Sequence, residues 1–300
     1  MDIKKIKANF HKNWLKQLEV GEKKQDKIWF DYLNGEANKI IDEFLANNKN
    51  IQNVDAYYTL DQFENLYIGL YKDIGLRMAK WYLKNYEKYI RKQDGHQFEI
   101  LFDVWANKFA FIGKTTAGER IVSVSGNRKK ELIKTLNKYM ANPEFQVMNE
   151  RQAQRVLRKK FKHISIVNAK RIIRTESVNA ANYATNQSAI YIFGKDNLQK
   201  EWIATRDNRT RLEHIEADGQ IVKMEENFIV GGQKLERPGD PSGSAWNVIN
   251  CRCTTAPFPI EVEQNVSSGR IIDIVGAVAQ TVATVAVVEE ILDSDTPENN

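Results

Sequence analysis

The sequence predicts an α+β fold in which a mainly helical N-terminal domain is followed by a small, loop-rich α+β module. Apolar residues recur at spacings of three and four from Leu60 to Tyr89, which is the periodicity of a helix that buries one face. The stretch 202–253 instead alternates short apolar runs with Asp-Gly, Gly-Gly and Pro-Gly-Asp-Pro turns. A chain of 300 residues is long enough for two such domains, each with its own core.

The composition is that of an ordinary globular protein, with 42% hydrophobic and 28% charged residues. The net charge of +5 is unevenly distributed, because residues 1–160 carry 30 basic and 20 acidic side chains, whereas 161–300 carry 14 and 19. The N-terminus lacks an apolar run of the length of a signal peptide. The two cysteines are too close in sequence for a good disulfide, so we expect a reducing compartment.

Residues 1–112 are predicted to form a helical bundle that is rich in aromatic side chains. They contain 20 of the 30 aromatic residues of the chain. Because these residues follow helix faces, packing in a core explains them better than a surface on which nucleic-acid bases stack.

Residues 113–165 are predicted to be a basic connecting region. Several glycines predict a loop or short hairpin between 113 and 126, after which a helix is expected at 130–140. The Asn142-Pro143 sequence breaks that helix, and a second helix is expected at 150–161.

This connecting region has the highest density of positive charge in the chain. Twelve basic and three acidic residues lie between Arg120 and Lys162. The candidates for contact with DNA are Arg151, Arg155, Arg158, Lys159, Lys160 and Lys162. Such a cluster can neutralise the phosphates of double-stranded DNA. A solvated helix face, or a docking surface for an acidic partner, explains it as well.

The segment 166–190 has the clearest helical pattern, and Glu176 falls on its apolar face. A buried carboxylate needs a partner, because an unpaired buried charge is strongly destabilising. We therefore expect Arg209, Arg211 or His214 to pair with Glu176, so that this helix packs against the stretch 202–253. A role of Glu176 as a general acid or base is the alternative.

The C-terminal module is predicted to consist of short strands joined by tight turns. Strands are expected at 198–205 and 228–230, and a helical turn at 210–214. Asp218-Gly219 is expected to form a turn into the segment 220–223. Such a small module has a thin core and would gain stability from internal polar or metal bonds.

His214, Cys251 and Cys253 are candidate metal ligands within this module. Two thiolates and an imidazole, completed by a carboxylate from Asp207 or Asp218, would suit zinc. A Cys-x-Cys pair is a weaker signal than two Cys-x-x-Cys pairs, and both cysteines can equally be small buried apolar residues. A thiol nucleophile paired with His214 is a further alternative, although no flanking motif of a cysteine hydrolase is present.

Residues 261–300 are predicted to form an apolar helix followed by an acidic, disordered tail. The apolar part, 271–292, contains Asp273 and Gln280, which suits a helix docked on a partner better than a membrane span. The last residues, DSDTPENN, have the composition of a disordered end.

An ordered set of motifs within about 120–258 resembles the phage Mu protein F-like family, the minor head or head morphogenesis proteins of tailed bacteriophages. The residues that carry the resemblance are Arg171, Thr175, Glu176, Asn182, Trp202, Thr205, Asp207, Arg209, Arg211, His214, Asp218, Gly219, Phe228, Pro238, Gly239, Asp240, Pro241, Asn250, Cys251, Arg252 and Cys253. The resemblance assigns the module to 166–260 and implies that these residues have a structural rather than a catalytic role.

The resemblance also implies a location and a set of partners. It implies a minor component of the virion, in the capsid interior or at the portal vertex, that resides in the host cytoplasm during assembly. The implied partners are the portal protein and the scaffold or major capsid protein, with double-stranded DNA as a further partner and no membrane. The alternatives are a metal- or thiol-dependent enzyme or toxin-like module, and a DNA-binding packaging accessory. No cofactor other than zinc is expected.

Overall fold

The computed structural model of the protein describes residues 3–50, 60–86 and 95–260. The helices in these ranges are α1 (Ile3–Ala46), α2 (Leu60–Tyr86), α3 (Gly95–Met140), α4 (Pro143–Gln146), α5 (Glu150–Phe193), α6 (Leu212–Glu216) and α7 (Ala245–Val248). The strands are β1 (Leu198–Ile203), β2 (Ile221–Lys223), β3 (Phe228–Val230), β4 (Gln233–Leu235) and β5 (Thr254–Pro259). Long helices therefore precede a small region of short strands, and the predicted α+β fold class is confirmed.

The four long helices pack against one another around an aromatic core. Trp14 and Trp29 of α1, Tyr67 and Tyr71 of α2, and Phe109 of α3 are each at most 1% exposed and belong to one cluster of side chains. The rings of Trp29 and Tyr67 meet edge to face, with their centroids 5.3 Å apart. Among the residues that the structure describes, aromatic side chains of this region therefore pack in a core, as the helix periodicity predicted.

A second core lies where the end of α1 meets the end of α3 and the beginning of α5. Phe44, Leu136 and Phe161 are fully buried in it. The short helix α4 closes this core with Phe145, and Asn142 caps α4 by accepting a hydrogen bond from the Glu144 N–H. Apolar residues thus cover one side of the N-terminal part of α5 and leave its other side to solvent.

The prediction of a loop or short hairpin between 113 and 126 is wrong, because α3 runs without interruption from Gly95 to Met140. A Cβ atom at Gly113 would lie 3.0 Å from Tyr71 Cβ and 3.1 Å from Ile68 Cα. This glycine therefore permits the close approach of α3 to α2, and it does not end the helix. At Gly113, the sequence signal for a turn was therefore a signal for tight helix packing.

The two helices expected at 150–161 and 166–190 are one helix. α5 begins at a capping box, in which Asn149 and Gln152 each accept a backbone hydrogen bond from the other. It ends before Gly194, whose φ of 77° ends the helical backbone. With 44 residues, α5 is about 66 Å long and extends from the second core to the C-terminal strands.

The C-terminal region contains a three-stranded antiparallel sheet with the order β2-β1-β5. In its register, Glu201 of β1 lies opposite Ile221 of β2 on one side and Ala256 of β5 on the other. β3 and β4 form a separate hairpin whose two turn residues, Gly231 and Gly232, both have positive φ. The strands predicted at 198–205 and 228–230 are confirmed, with the first ending at Ile203.

The division into domains at 1–112, 113–165 and 166–260 stays a prediction, and α3 and α5 run across its two internal boundaries. The expected apolar helix and disordered tail at 261–300 lie outside the described residues. Within the described ranges, no helix combines the length and the apolar character needed to cross a membrane.

Candidate functional site

The C-terminal module is attached to α5 by the side chain of Asn182, which is fully buried. Its Nδ2 donates hydrogen bonds to the carbonyl oxygens of Pro238 and Cys253, both at 3.2 Å. Its Oδ1 accepts hydrogen bonds from Thr254 Oγ1 at 2.9 Å and from the Thr255 N–H at 2.8 Å. One asparagine therefore joins the helix to two separate segments of the module.

The Pro-Gly-Asp-Pro turn packs directly on the α5 backbone. Gly239 has a φ of 83°, and a Cβ atom there would lie 2.8 Å from the backbone nitrogen of Asn179. Only glycine tolerates both a positive φ and such a close approach to another backbone. Asp240 holds the turn in shape, because its carboxylate accepts hydrogen bonds from the N–H groups of Glu236 at 2.6 Å and Ser242 at 2.9 Å.

Glu176 has partners other than those expected. Its Oε1 accepts a hydrogen bond from Arg120 of α3 at 2.7 Å, and its Oε2 accepts one from the Tyr71 hydroxyl of α2 at 2.8 Å. The prediction that Arg209, Arg211 or His214 pairs with Glu176 is therefore wrong. Its side chain is 3% exposed, so the need for a partner was inferred correctly, but the partner comes from the helical bundle.

A buried chain of polar contacts continues from Glu176 to the module. Burial and the charge of Glu176 raise the pKa of Tyr71 well above its ordinary value, so that Tyr71 remains a hydrogen-bond donor. Asn179 Nδ2 donates to the Tyr71 hydroxyl at 2.7 Å, and Arg237 Nε donates to Asn179 Oδ1 at 2.9 Å. The position of the module is thereby coupled to α2 and α3.

Asp207 and Arg252 form a bidentate ion pair inside the module. Arg252 donates from Nη1 to Oδ2 at 2.5 Å and from Nη2 to Oδ1 at 2.7 Å. The Arg209 N–H also donates to Asp207 Oδ1, at 3.0 Å. These bonds, that of Arg252 above all, hold the pKa of Asp207 well below its ordinary range. Arg252 thus ties the segment before β5 to the loop after β1.

Asp218 and Gly219 close the other end of that loop. Asp218 Oδ1 accepts a hydrogen bond from the Ala204 N–H at 2.7 Å, and its Oδ2 accepts one from Arg206 Nε, also at 2.7 Å. Gly219 has a φ of 85° and donates its N–H to the Trp202 carbonyl at 2.8 Å. The turn predicted at Asp218-Gly219 is confirmed, and it leads into β2.

His214, Cys251 and Cys253 lie together in the interior, and each is 2% exposed. His214 Nδ1 is 3.4 Å from Cys253 Sγ and 3.7 Å from Cys251 Sγ. The hydrogen bond with Cys253 lowers the pKa of Cys251, whereas the bond with Cys251, together with burial, raises the pKa of Cys253 well above its ordinary value. Both cysteines are free thiols.

Trp202 covers this cluster. It is fully buried, and its ring meets the His214 ring at 89° with centroids 5.6 Å apart. On its other side it meets Phe228 at 73° and 5.4 Å. The imidazole is therefore held in place by aromatic packing between β1 and β3.

Other residues of the motif line a cleft of about 1090 Å³ between α1, α5 and the module. Arg211 donates to the Ile249 carbonyl at 2.7 Å, and its guanidinium lies over the ring of Trp246, which is 62% exposed. Glu22 of α1 lines the opposite wall, where burial raises its pKa to about 7 although Arg174 lies 2.6 Å away. This cleft carries side chains of both charges.

The candidate DNA-contacting residues lie elsewhere, along the N-terminal part of α5. Arg151, Arg155, Lys159, Lys160 and Lys162 are exposed there. Arg158 is also exposed, but it forms an ion pair with Asp42 at 3.0 Å. The structure thus groups these residues on the side of α5 that faces away from the second core.

The sequence interpretation did not identify Arg120, Tyr71, Asn179 or Arg237 as members of the network. The spacing of buried asparagines in α5 is the signal that could have found part of it. Asn179, Asn182 and Asn186 follow one another at three and four residues, although asparagine is a poor helix former. Such a row indicates that a helix face forms hydrogen bonds with other segments of the chain.

Comparison with known proteins finds a family that resembles the part of the chain from residue 123 to residue 256. The sequence profile of the family described as Phage Mu protein F like protein matches residues 123–256. These residues include the whole of α5 and the C-terminal module as far as Ala256 in β5.

Two curated relatives match about a third of the chain. The Minor head protein GP7 of Bacillus phage SPP1 is 39% identical over 103 residues, which are 34% of this chain and 32% of that protein. The NAD(+)--arginine ADP-ribosyltransferase EFV of Enterococcus faecalis is 37% identical over 102 residues, which are 33% of this chain and 20% of that protein. The chain thus spans about a third and about a fifth of the length of these relatives.

No solved structure gives a significant match to this chain. The resemblance that the motifs of the module carry is confirmed by the family match and by the phage relative. Residues 123–256 of this chain are thus similar to the phage Mu protein F like family.

Proposed function

We propose that this protein is a minor head protein of a tailed bacteriophage and takes part in head morphogenesis. The observation that supports this most is the match of residues 123–256 to the phage family, together with the similarity to a minor head protein. The geometry is consistent with a structural role, because Asn182, Gly239 and Asp218 are occupied in holding the module together.

The proposed partners are the portal protein and the scaffold or major capsid protein, and the proposed location is the portal vertex or the interior of the capsid. The outer faces of the long helices would provide the contacts.

The enzymatic alternative would need Glu176, His214 and Cys251 to act on a substrate. Glu176 is bonded to Arg120 and Tyr71, and His214 and Cys251 are 2% exposed. The activity named for the Enterococcus relative belongs to a protein of which this chain matches only 20%.

We expect the full chain to co-purify with phage heads when it is tagged in the phage or prophage genome that encodes it. The measurement is an immunoblot of heads separated on a density gradient, normalised to the portal and major capsid proteins. Heads should lose the protein when Asn182→Ala disrupts the module, and should retain it when the exposed Asn137 of α3 is changed to Ala. Intact heads that never contain the tagged wild-type chain would contradict the proposal.

We further propose that the exposed basic residues of α5 contact double-stranded DNA. The positions 151, 155, 159 and 162 recur every three or four residues over about 16 Å, which places them in a row that can follow a phosphate backbone. The exposed Lys130, Lys134 and Lys138 of α3 add positive charge on a helix that shares the second core with α5.

The variant R155Q/K159Q/K160Q/K162Q is expected to bind random-sequence duplex DNA about tenfold or more weakly, because phosphate contacts dominate such affinity. The slope of log affinity against log salt concentration should fall by about 0.9 for each phosphate that the variant no longer neutralises. Fluorescence anisotropy at several salt concentrations measures both quantities. The control K12Q/K16Q/K72Q/K84Q removes the same charge from exposed positions on α1 and α2. Equally weakened binding by the two variants would show that only net charge matters.

A further inference from the structure

The cluster of His214, Cys251 and Cys253 has the composition and geometry of a soft-metal site. One ligand atom from each residue can be chosen such that all three lie within 4.8 Å of one another. In a tetrahedral zinc site with ordinary bond lengths, a sulfur and an imidazole nitrogen are about 3.6 Å apart. The observed distances from Nδ1 to the two Sγ atoms, 3.4 and 3.7 Å, bracket this value.

The backbone presents both sulfur atoms to the same side. Cys251 and Cys253 are separated by one residue immediately before β5, so in extended chain their side chains lie on one face. Arg252 points the other way and is bound by Asp207. The Cys253 N–H donates to Cys251 Sγ at 3.4 Å, which fixes the turn between the two cysteines. Asn250, with a φ of 58°, turns the chain into this arrangement and donates its N–H to Thr175 Oγ1 at 3.0 Å.

The charges of such a site balance in the interior. A divalent cation with two thiolates and a neutral imidazole has no net charge, so it avoids the cost of burying an uncompensated ion. The carboxylates expected as a fourth ligand do not join the group. Asp207 is bound by Arg252, and Asp218 is bound by Ala204 and Arg206.

We propose that His214 Nδ1, Cys251 Sγ and Cys253 Sγ bind one zinc ion that stabilises the module, with a water molecule in the fourth position. On binding, two S–H bonds break, two Zn–S bonds form, and two protons pass to solvent. The ion joins α6 to the segment before β5, and the Asp207–Arg252 pair ties the loop before α6 to the same segment. A small module with a thin core gains most from such a cross-link.

The proposal is tested on the full-length protein, independently of any phage partner. After removal of bound metal with a chelator and addition of zinc, elemental analysis is expected to find about one zinc ion per chain. Cobalt(II) in place of zinc should produce the intense thiolate-to-metal charge-transfer absorption and the visible bands of a tetrahedral site. Zinc binding measured calorimetrically in buffers of different ionisation enthalpy should reveal the release of protons.

Substitution of each proposed ligand tests where the ion binds. H214Q, C251S and C253S should each abolish or strongly weaken stoichiometric binding, whereas H163Q should retain it, because His163 is an exposed histidine on α5. Where a variant fails to fold, the cobalt spectrum of the wild type still shows whether thiolates bind the ion. Folded wild-type protein that binds no zinc, cobalt bands without thiolate character, or loss of binding in H163Q would each overturn the proposal.

Discussion

Replacing Asn182 with alanine is expected to lower the free energy of unfolding by about 3–5 kcal/mol. The side chain donates to the carbonyl oxygens of Pro238 and Cys253 and accepts from Thr254 and Thr255, all in a fully buried position. Alanine removes every one of these bonds at once. The buried Thr255 N–H then loses its partner, and each such orphaned group costs about 1–3 kcal/mol.

Urea denaturation followed by tryptophan fluorescence measures this destabilisation, since Trp202 lies in the module and is fully buried. The matched control is Asn137→Ala on α3, an exposed asparagine within a helix. That change should leave stability within about 1 kcal/mol of wild type, because alanine is the better helix former. If Asn182→Ala were as mild as this control, the proposed attachment of the module to α5 would be wrong.

Replacing Arg120 with methionine is expected to cost about 3–5 kcal/mol of stability. The change keeps much of the apolar length of the side chain but removes the positive charge that lies 2.7 Å from Glu176. Glu176 is 3% exposed, so water cannot replace the missing partner. The Tyr71 hydroxyl would remain as a donor to the carboxylate, but a hydroxyl does not neutralise a charge.

The double variant R120M/E176Q separates the charge from the packing. Glutamine can still accept the hydrogen bond from Tyr71, and it leaves no uncompensated charge, so the double variant should recover a large part of the stability. Arg206→Met is the surface control. It removes an ion pair to Asp218 from a side chain that is 77% exposed, and it should cost less than about 1 kcal/mol. Similar costs for R120M and R206M would contradict the buried role of Arg120.

The Glu176 network shows where inference from sequence reached its limit. The position of Glu176 on an apolar face was enough to predict that it is buried and paired. The choice of partner failed because the region around Arg120 was interpreted as a loop. In the structure that region is the middle of α3, and it carries the guanidinium to Glu176.

The sulfur and imidazole cluster shows the opposite case. Residue types alone were sufficient to select His214, Cys251 and Cys253 from the whole chain, since the chain has only two cysteines and four histidines. The sequence could not tell whether the three side chains meet, and it suggested a carboxylate as the fourth ligand. The structure brings the three together and binds both candidate carboxylates elsewhere.

By itself, the sequence determined the properties that depend on neighbouring residues: helical periodicity, strand and turn positions in the module, and the motifs of its family. These follow from local backbone preferences and from the spacing of apolar side chains. Only the tertiary structure decided that Gly113 permits close packing of two helices, that α5 is one continuous helix, and that Arg120 neutralises Glu176. Each of these depends on atoms far apart in the chain, whose contact is set by packing and the burial of charge.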